Sequence, residues 1–213
     1  MPDRNGFGVE SKVGRSDLAE TTQPQVNRFD FLSVLVSIII ALGISHILAS
    51  AARLIRRRGK VRLYLPTTVW MVTLLLLQVQ VWWVAFYRRD IVHWTFFGFL
   101  LYLLIPILIS LLGYLLVPEF ELEVADDVDL EREYGHNRRW FFGFLGAVVI
   151  VSLLEDVLRS GRMDLDLNSC IRFLFLGLSA AGFAIGNRRA QLPVALVFLG
   201  TLVCYIGFVF RTL

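Results

Sequence analysis

Glu155, Asp156 and Arg172 are ionisable side chains near the ends of long apolar stretches, where they could form ion pairs or transfer protons. A charged side chain at the centre of a bilayer costs on the order of 2.5–3.5 kcal/mol by insertion scales, so each one needs a partner or a function. A tight antiparallel hairpin would bring both carboxylates to the depth of Arg172. We predict an ion pair that holds two neighbouring helices together; a charged vestibule or proton-linked site is the alternative.

Other polar residues lie inside the first two apolar stretches. Asp30, Ser33 and Ser37 recur at three- and four-residue steps, so they share one face of a helix. That face is typical of close helix packing, and a pore-lining stripe is the alternative. Gln78 and Gln80 point to nearly opposite sides of a helix, so at most one of them can face a shared cavity. The candidates for a polar cavity or ion pair are Asp30, Ser33, Ser37, Gln78, Glu155, Asp156 and Arg172.

The fifth apolar stretch is rich in small residues. Gly182 and Gly186 form a GxxxG pair, a spacing that allows two helices to approach closely in a membrane. We predict that this pair packs against another helix, either within the subunit or between subunits of a homo-oligomer.

No catalytic, cofactor-binding or metal-binding motif is present in the sequence. HExxH and GxGD are both absent, and Cys170 and Cys204 are not part of a CxxC pattern. Ser45 and His46 are adjacent on a helix and point about 100° apart, so they cannot form a nucleophile–base pair. Residues 155–159 resemble the glutamate pair and arginine of one intramembrane protease family, but the downstream histidines are missing. We therefore predict a non-enzymatic protein without a cofactor.

The composition indicates a protein that resides in a lipid bilayer. Of the 213 residues, 56% are hydrophobic and only 18% are charged, and the mean hydropathy is +0.65. Soluble domains have about a quarter of their residues charged. The net charge of +3 is modest, and the basic residues are concentrated beside a hydrophobic segment. This pattern favours membrane orientation and argues against nucleic acid as a partner.

Six apolar stretches follow a polar segment, residues 1–28, which we predict to be disordered. Each stretch reaches the roughly 20 residues that a helix needs to cross about 30 Å of hydrocarbon. We predict an all-α fold, a polytopic transmembrane bundle of about six helices that forms a single domain over residues 29–213. The predicted helices span 30–54, 66–87, 91–116, 140–158, 169–187 and 191–211, with an acidic loop at 118–139.

The distribution of arginine predicts an orientation. A dense basic cluster at residues 53–62 follows the first helix, and such clusters remain in the cytoplasm. This places both termini outside and predicts the inner membrane of a cell. Most of the polar groups within the apolar stretches then lie in the outward half of the bundle, where we expect any site to be.

Three segments carry a resemblance to known proteins: residues 28–33, residues 56–58 and residues 80–83. In these segments the chain resembles a group of bacterial six-helix inner-membrane proteins with no known activity, and the resemblance covers the first four helices. The subunit size and the polar start of the first helix are also similar to six-helix bacterial potassium channels of the lysosomal-channel type. Their Arg…Phe-Ser-Asp order is absent here, so their pore residues are not carried over.

Two functions of different classes are compatible with this sequence. The first is an oligomeric ion channel or a small transporter that uses the candidate polar residues. The second is a non-catalytic membrane scaffold or sensor that acts through protein partners, with residues 118–139 or 53–62 as its contact surface.

Overall fold

The computed structural model describes residues 28–56, 59, 61–87, 95–117, 128–161 and 166–209. The predicted disordered segment lies outside these residues, apart from Arg28. Within them, six helices are long and apolar enough to cross a membrane, which confirms the predicted all-α bundle. The elements are α1 (Arg28–Arg56), β1 (Val61–Arg62), α2 (Leu65–Tyr87), α3 (Phe96–Leu116), β2 (Val128–Asp129), α4 (Leu130–Ser160), α5 (Leu167–Ala184) and α6 (Arg188–Val209).

An aromatic cluster joins three helices in the core. Trp70 of α2 is fully buried, and its ring contacts Phe141 and Phe142 of α4 and Phe198 of α6. The ring centroids are 5.0, 5.5 and 5.1 Å from that of Trp70. Tilted and edge-on aromatic pairs of this kind are stabilising beyond their buried area. The cluster therefore sets how α2, α4 and α6 pack together.

Successive helices run in opposite directions, so the bundle has two distinct ends. His46 near the end of α1 stacks on Tyr114 near the end of α3, with ring centroids 3.7 Å apart. At the same end the short strands pair in parallel, with Val61 opposite Val128. We call this end, where α1 finishes and α2 begins, the basic end. Its described arginines are Arg53, Arg56, Arg62, Arg132, Arg138, Arg139, Arg188 and Arg189.

Helix α4 begins ten residues before the predicted start at residue 140, inside the predicted acidic loop. Asp129 caps it, because its side chain accepts hydrogen bonds from the backbone N–H groups of Glu131 and Arg132. Acidic residues in the first turn also favour the positive end of the helix dipole. The 31 residues of α4 make a helix about 46 Å long, compared with about 30 Å of hydrocarbon. Its first turns therefore extend beyond the apolar layer.

Only one member of the predicted GxxxG pair lies in a helix. A Cβ atom on Gly182 would collide with the ring of Phe142 in α4, so this glycine allows α4 and α5 to approach closely. Gly186 lies beyond the end of α5, in the connection to α6, and the nearest atom to a Cβ there would be Nη2 of Arg138, 3.7 Å away. Gly186 is therefore not part of the helical face that carries Gly182, because α5 ends at Ala184; packing of the pair against another helix or subunit stays a prediction.

Candidate functional site

A cavity of about 140 Å³ lies between α2, α3, α4, α5 and α6, and we call it the α2–α6 cavity. It occupies the half of the bundle farther from the basic end, since it is lined by the later parts of α2, α4 and α6 and by the first turns of α5. Most of its wall is aliphatic and aromatic. Its polar lining residues are Gln80, Tyr102, Ser152, Glu155, Arg172 and Tyr205.

An ion pair between α4 and α5 lies beside this cavity. Nη1 of Arg172 donates to Oδ2 of Asp156 at 2.9 Å and lies 3.5 Å from the carbonyl oxygen of Ser152. Nη2 of Arg159 donates to the other carboxylate oxygen of Asp156. Glu155, the preceding residue, is only 5% exposed and lines the cavity. The predicted pairing of these two helices therefore occurs through Asp156, while Glu155 faces the cavity.

The turn between α4 and α5 brings these charges together. Helix α4 ends at Ser160, and the following Gly161 adopts the left-handed conformation (φ 71°) that favours glycine at this position. Helix α5 begins after Asp166, whose carboxylate accepts a hydrogen bond from the backbone N–H of Ser169 at 2.9 Å. This bond, with a further side-chain bond from Ser169, lowers the pKa of Asp166 below its ordinary value. Arg172 then lies one turn inside α5, level with Asp156.

Gln78 belongs to a different contact, where α1, α2 and α3 meet. It is fully buried, and its Nε2 donates to Oγ of Ser110 at 3.0 Å. Oγ of Ser110 in turn donates to the carbonyl oxygen of Pro106 at 2.8 Å. Gly43 of α1 faces both side chains, since a Cβ atom there would collide with them. Of the two glutamines on α2, Gln80 lines the cavity and Gln78 does not, because residues two apart on a helix face nearly opposite sides.

The remaining predicted site residues are on α1. Ser33 and Ser37 are half-buried, and neither is among the described residues that line the α2–α6 cavity. The side chain of Asp30 lies outside the described part of the structure. The predicted polar set therefore divides: Glu155 and Arg172 share the cavity, Asp156 bonds to Arg172, and Gln78 bonds elsewhere.

Four polar residues of the cavity are absent from the predicted set, which included Gln78 in place of Gln80. Ser152 lies three residues before Glu155 on α4, so their helical spacing could have placed it on the same face. Tyr102 and Tyr205 also line the cavity. Tyrosine is frequent in membrane helices without a binding role, so no sequence signal distinguishes these two.

A larger polar cleft of about 860 Å³ opens at the basic end. In it, Nη1 of Arg138 donates to the carbonyl oxygens of residues 182, 183 and 185, at 2.6, 3.1 and 2.7 Å. A cation there stabilises the C-terminal end of α5. Glu131 and Arg188 form an ion pair at 2.8 Å. Burial raises the pKa of Tyr64 at the edge of this cleft, with a further contribution from Glu131. The bonds of Arg138 connect α4 to the end of α5, and the ion pair of Glu131 connects α4 to α6.

Metal binding has no candidate among the residues that the structure describes, since no three His, Cys, Asp or Glu side chains are grouped to hold an ion. No protein-family model, curated protein or solved structure matches this chain. The resemblance to bacterial six-helix membrane proteins therefore stays a prediction.

Proposed function

We propose that the protein is a small membrane transporter that binds its solute in the α2–α6 cavity. The observation that carries this proposal is the position of Glu155 and Arg172, which line a mostly apolar cavity inside a membrane-type bundle. Ionisable groups inside membrane helices are costly and commonly belong to substrate or ion pathways. Residues of five of the six helices line the cavity, so movement of any of these helices would change its access.

The shape and chemistry of the cavity favour a small solute with an apolar body. Its volume of about 140 Å³ is close to that of an engineered cavity of about 150 Å³ that binds benzene. Mostly apolar walls with a few polar groups are typical of sites in which the polar groups set the orientation of the ligand. The solute is therefore expected to be small and amphipathic.

A transporter agrees better with the geometry than an ion channel does. A pore needs polar groups along a continuous path, whereas the buried polar candidates on α2, α4 and α5 fall into two separate contacts. Gln78 and Ser110 are bonded to each other where α1 approaches, and Glu155 and Arg172 lie in the cavity. The proposed site lies within one subunit, so each copy of a homo-oligomer would carry its own.

We further propose that the protein lies in the inner membrane of a bacterium with its basic end in the cytoplasm and both termini outside. The concentration of described arginines at the basic end supports this orientation. Alkaline phosphatase fused after residue 213 should be active and a fluorescent protein fused there should stay dark. The opposite result would reverse the orientation.

Access of water and solute to the cavity tests the proposed function. Ser152→Cys places a thiol in the cavity wall, in a background where the exposed Cys170 and Cys204 are replaced by serine. Ser179→Cys is the matched control, because Ser179 is 1% exposed and bonds to the carbonyl of Phe175 within α5. A membrane-impermeant methanethiosulfonate reagent should modify the cavity thiol at least tenfold faster than the control thiol.

Reconstituted protein should also take up small amphipathic solutes into liposomes with a rate that saturates. Prior modification of Ser152→Cys should block this uptake, because the cavity would be filled. Equal, slow modification of both thiols together with no uptake would contradict a transporter and favour the scaffold or sensor function. Uptake that rises linearly and survives modification would instead place the pathway outside this cavity.

A further inference from the structure

A groove of about 400 Å³ lies at the basic end of the bundle, between the start of α2 and the start of α6, and we call it the Arg188 groove. The apolar membrane spans of these two helices begin at Leu65 and Arg188. Helix α6 has 22 residues, which makes it about 33 Å long and close to the thickness of the hydrocarbon layer. The groove therefore lies where the chain enters the membrane, at the depth of the lipid headgroups.

Leucine side chains form the apolar part of this groove. Leu63, Leu65 and Leu192 line it, and the first two are 62% and 64% exposed. Leu196 is also exposed and lies one turn after Leu192 on the same face of α6. The apolar surface of the groove thus continues along α6 into the bilayer, as a path for an acyl chain.

The groove carries more positive than negative charge. Arg188 and Arg189 both line it and are exposed. Nη1 of Arg188 bonds to Glu131 at 2.8 Å, and the other N–H groups of the guanidinium can still donate to a second anion. Among the described residues, no carboxylate forms an ion pair with Arg189. Asp129 and Glu133, also at this end, line the neighbouring polar cleft and not the groove.

The backbone that carries the two arginines is held by side chains on either side of it. Oδ1 of Asn187 accepts a hydrogen bond from the backbone N–H of Arg189 at 3.0 Å. The hydroxyl of Tyr64 donates to the carbonyl oxygen of Arg188 at 3.4 Å and so connects the start of α2 to that of α6. The first turns of these two helices contain no acidic residue. The positive ends of their dipoles therefore add to the charge of the arginines.

We infer that the Arg188 groove binds an anionic phospholipid, with its phosphate between Arg188 and Arg189 and an acyl chain along Leu192 and Leu196. Basic pockets between membrane helices bind acidic lipid headgroups, and the planar guanidinium matches the oxygens of a phosphate. A zwitterionic lipid gains less, because it carries a cation beside its phosphate. A soluble phosphate compound makes no contact with the leucines. The inference is independent of the proposed solute site, which lies in the other half of the bundle.

Native mass spectrometry of the full chain in mild detergent tests the choice of lipid. Each arginine near an anionic lipid contributes about fivefold in affinity, and Glu131 offsets part of the charge of Arg188, so phosphatidylglycerol should bind about tenfold more tightly than phosphatidylcholine with the same acyl chains. Arg188→Gln combined with Arg189→Gln should abolish this preference. The matched control combines Arg132→Gln with Arg139→Gln, which removes the same charge from exposed residues outside the groove and should retain the preference.

A photoreactive phosphatidylglycerol locates the bound lipid without any substitution in the protein. After illumination and proteolysis, the label should be on residues 63–66 and 188–192, which line the groove. Glycerol phosphate in large excess should leave the labelling unchanged, because it has the headgroup chemistry without an acyl chain.

Four results would overturn the inference. The first is equal affinity for the two lipids. The second is an equal loss of preference in the two double variants, which would show a general attraction by the basic end. The third is labelling confined to other residues, and the fourth is suppression of labelling by glycerol phosphate, which would assign the groove to a soluble phosphate compound. If the variant at the groove does not fold, the lipid comparison and the labelling of the unaltered protein still decide.

Discussion

Gly43→Ala should destabilise the bundle, because the new methyl group has no space where α1 meets α2 and α3. The added Cβ atom would lie 2.5 Å from Oγ of Ser110 and closer still to Nε2 of Gln78. Real Cβ atoms do not approach other heavy atoms at these distances, so the helices or the glutamine must move. Either movement disturbs the hydrogen bond of 3.0 Å between the two side chains.

The expected loss can be derived from three contributions. Overpacking a tight contact costs about 1–3 kcal/mol, and a hydrogen bond between membrane helices contributes about 0.6–1.7 kcal/mol. Alanine recovers up to about 1 kcal/mol through its higher helix propensity than glycine. The net expectation is a decrease of about 2 kcal/mol in the free energy of unfolding.

Reversible unfolding in mixed micelles, followed by circular dichroism, measures this difference. Gly143→Ala on α4 is the matched control, because a Cβ atom there meets nothing within 4 Å. It should leave the stability unchanged or raise it by up to about 1 kcal/mol. In a background carrying Gln78→Ala and Ser110→Ala, which removes both obstructing groups, Gly43→Ala should behave like this control.

The reasoning would be refuted if Gly43→Ala were as stable as Gly143→Ala. It would also be refuted if the loss from Gly43→Ala were just as large in the background without the two polar groups. That second result would mean that the methyl group meets the backbone of a neighbouring helix, and that the polar contact has no part in the effect.

Three further predictions concern the helix ends and the ion pair. Arg138→Gln should lower the free energy of unfolding by about 2 kcal/mol, because the C-terminal end of α5 loses charge-assisted hydrogen bonds to its carbonyl oxygens. Amide hydrogen exchange should become faster at this end of α5. The control Arg139→Gln, at an exposed neighbouring residue, should leave both measurements nearly unchanged. Asp156→Asn should cost about 2 kcal/mol in the same unfolding assay, since its guanidinium partner on α5 remains partly buried without a carboxylate. The backbone N–H of Ser169 lowers the pKa of Asp166. The unaltered protein should therefore have a higher free energy of unfolding than Asp166→Ala above about pH 4, and this difference should disappear as the pH falls through the lowered pKa. A stability difference between the two proteins that instead grew on acidification would contradict a lowered pKa of Asp166.

Much of the helical architecture could be predicted from the sequence, because the bilayer imposes a local rule on each segment. A long apolar stretch in lipid must satisfy its own backbone hydrogen bonds and therefore forms a helix. The pairing of Arg172 with the acidic end of α4 was also predictable, since a short connection brings both to one depth. The early start of α4 was not, because the stretch before residue 140 is polar and its helix depends on the Asp129 cap.

The sequence by itself determined the number of helices, the depth of each polar group and the chemical types available for a site. Only the tertiary structure decided which of the two carboxylates bonds to Arg172 and which glutamine faces the cavity, because both depend on the rotation of each helix about its axis. This rotation is set by contacts such as that of Trp70 with α4 and α6, between residues far apart in the chain. It directs Gln80 toward the cavity and Gln78 toward Ser110. It also separates Glu155, which lines the cavity, from Asp156, which holds α5.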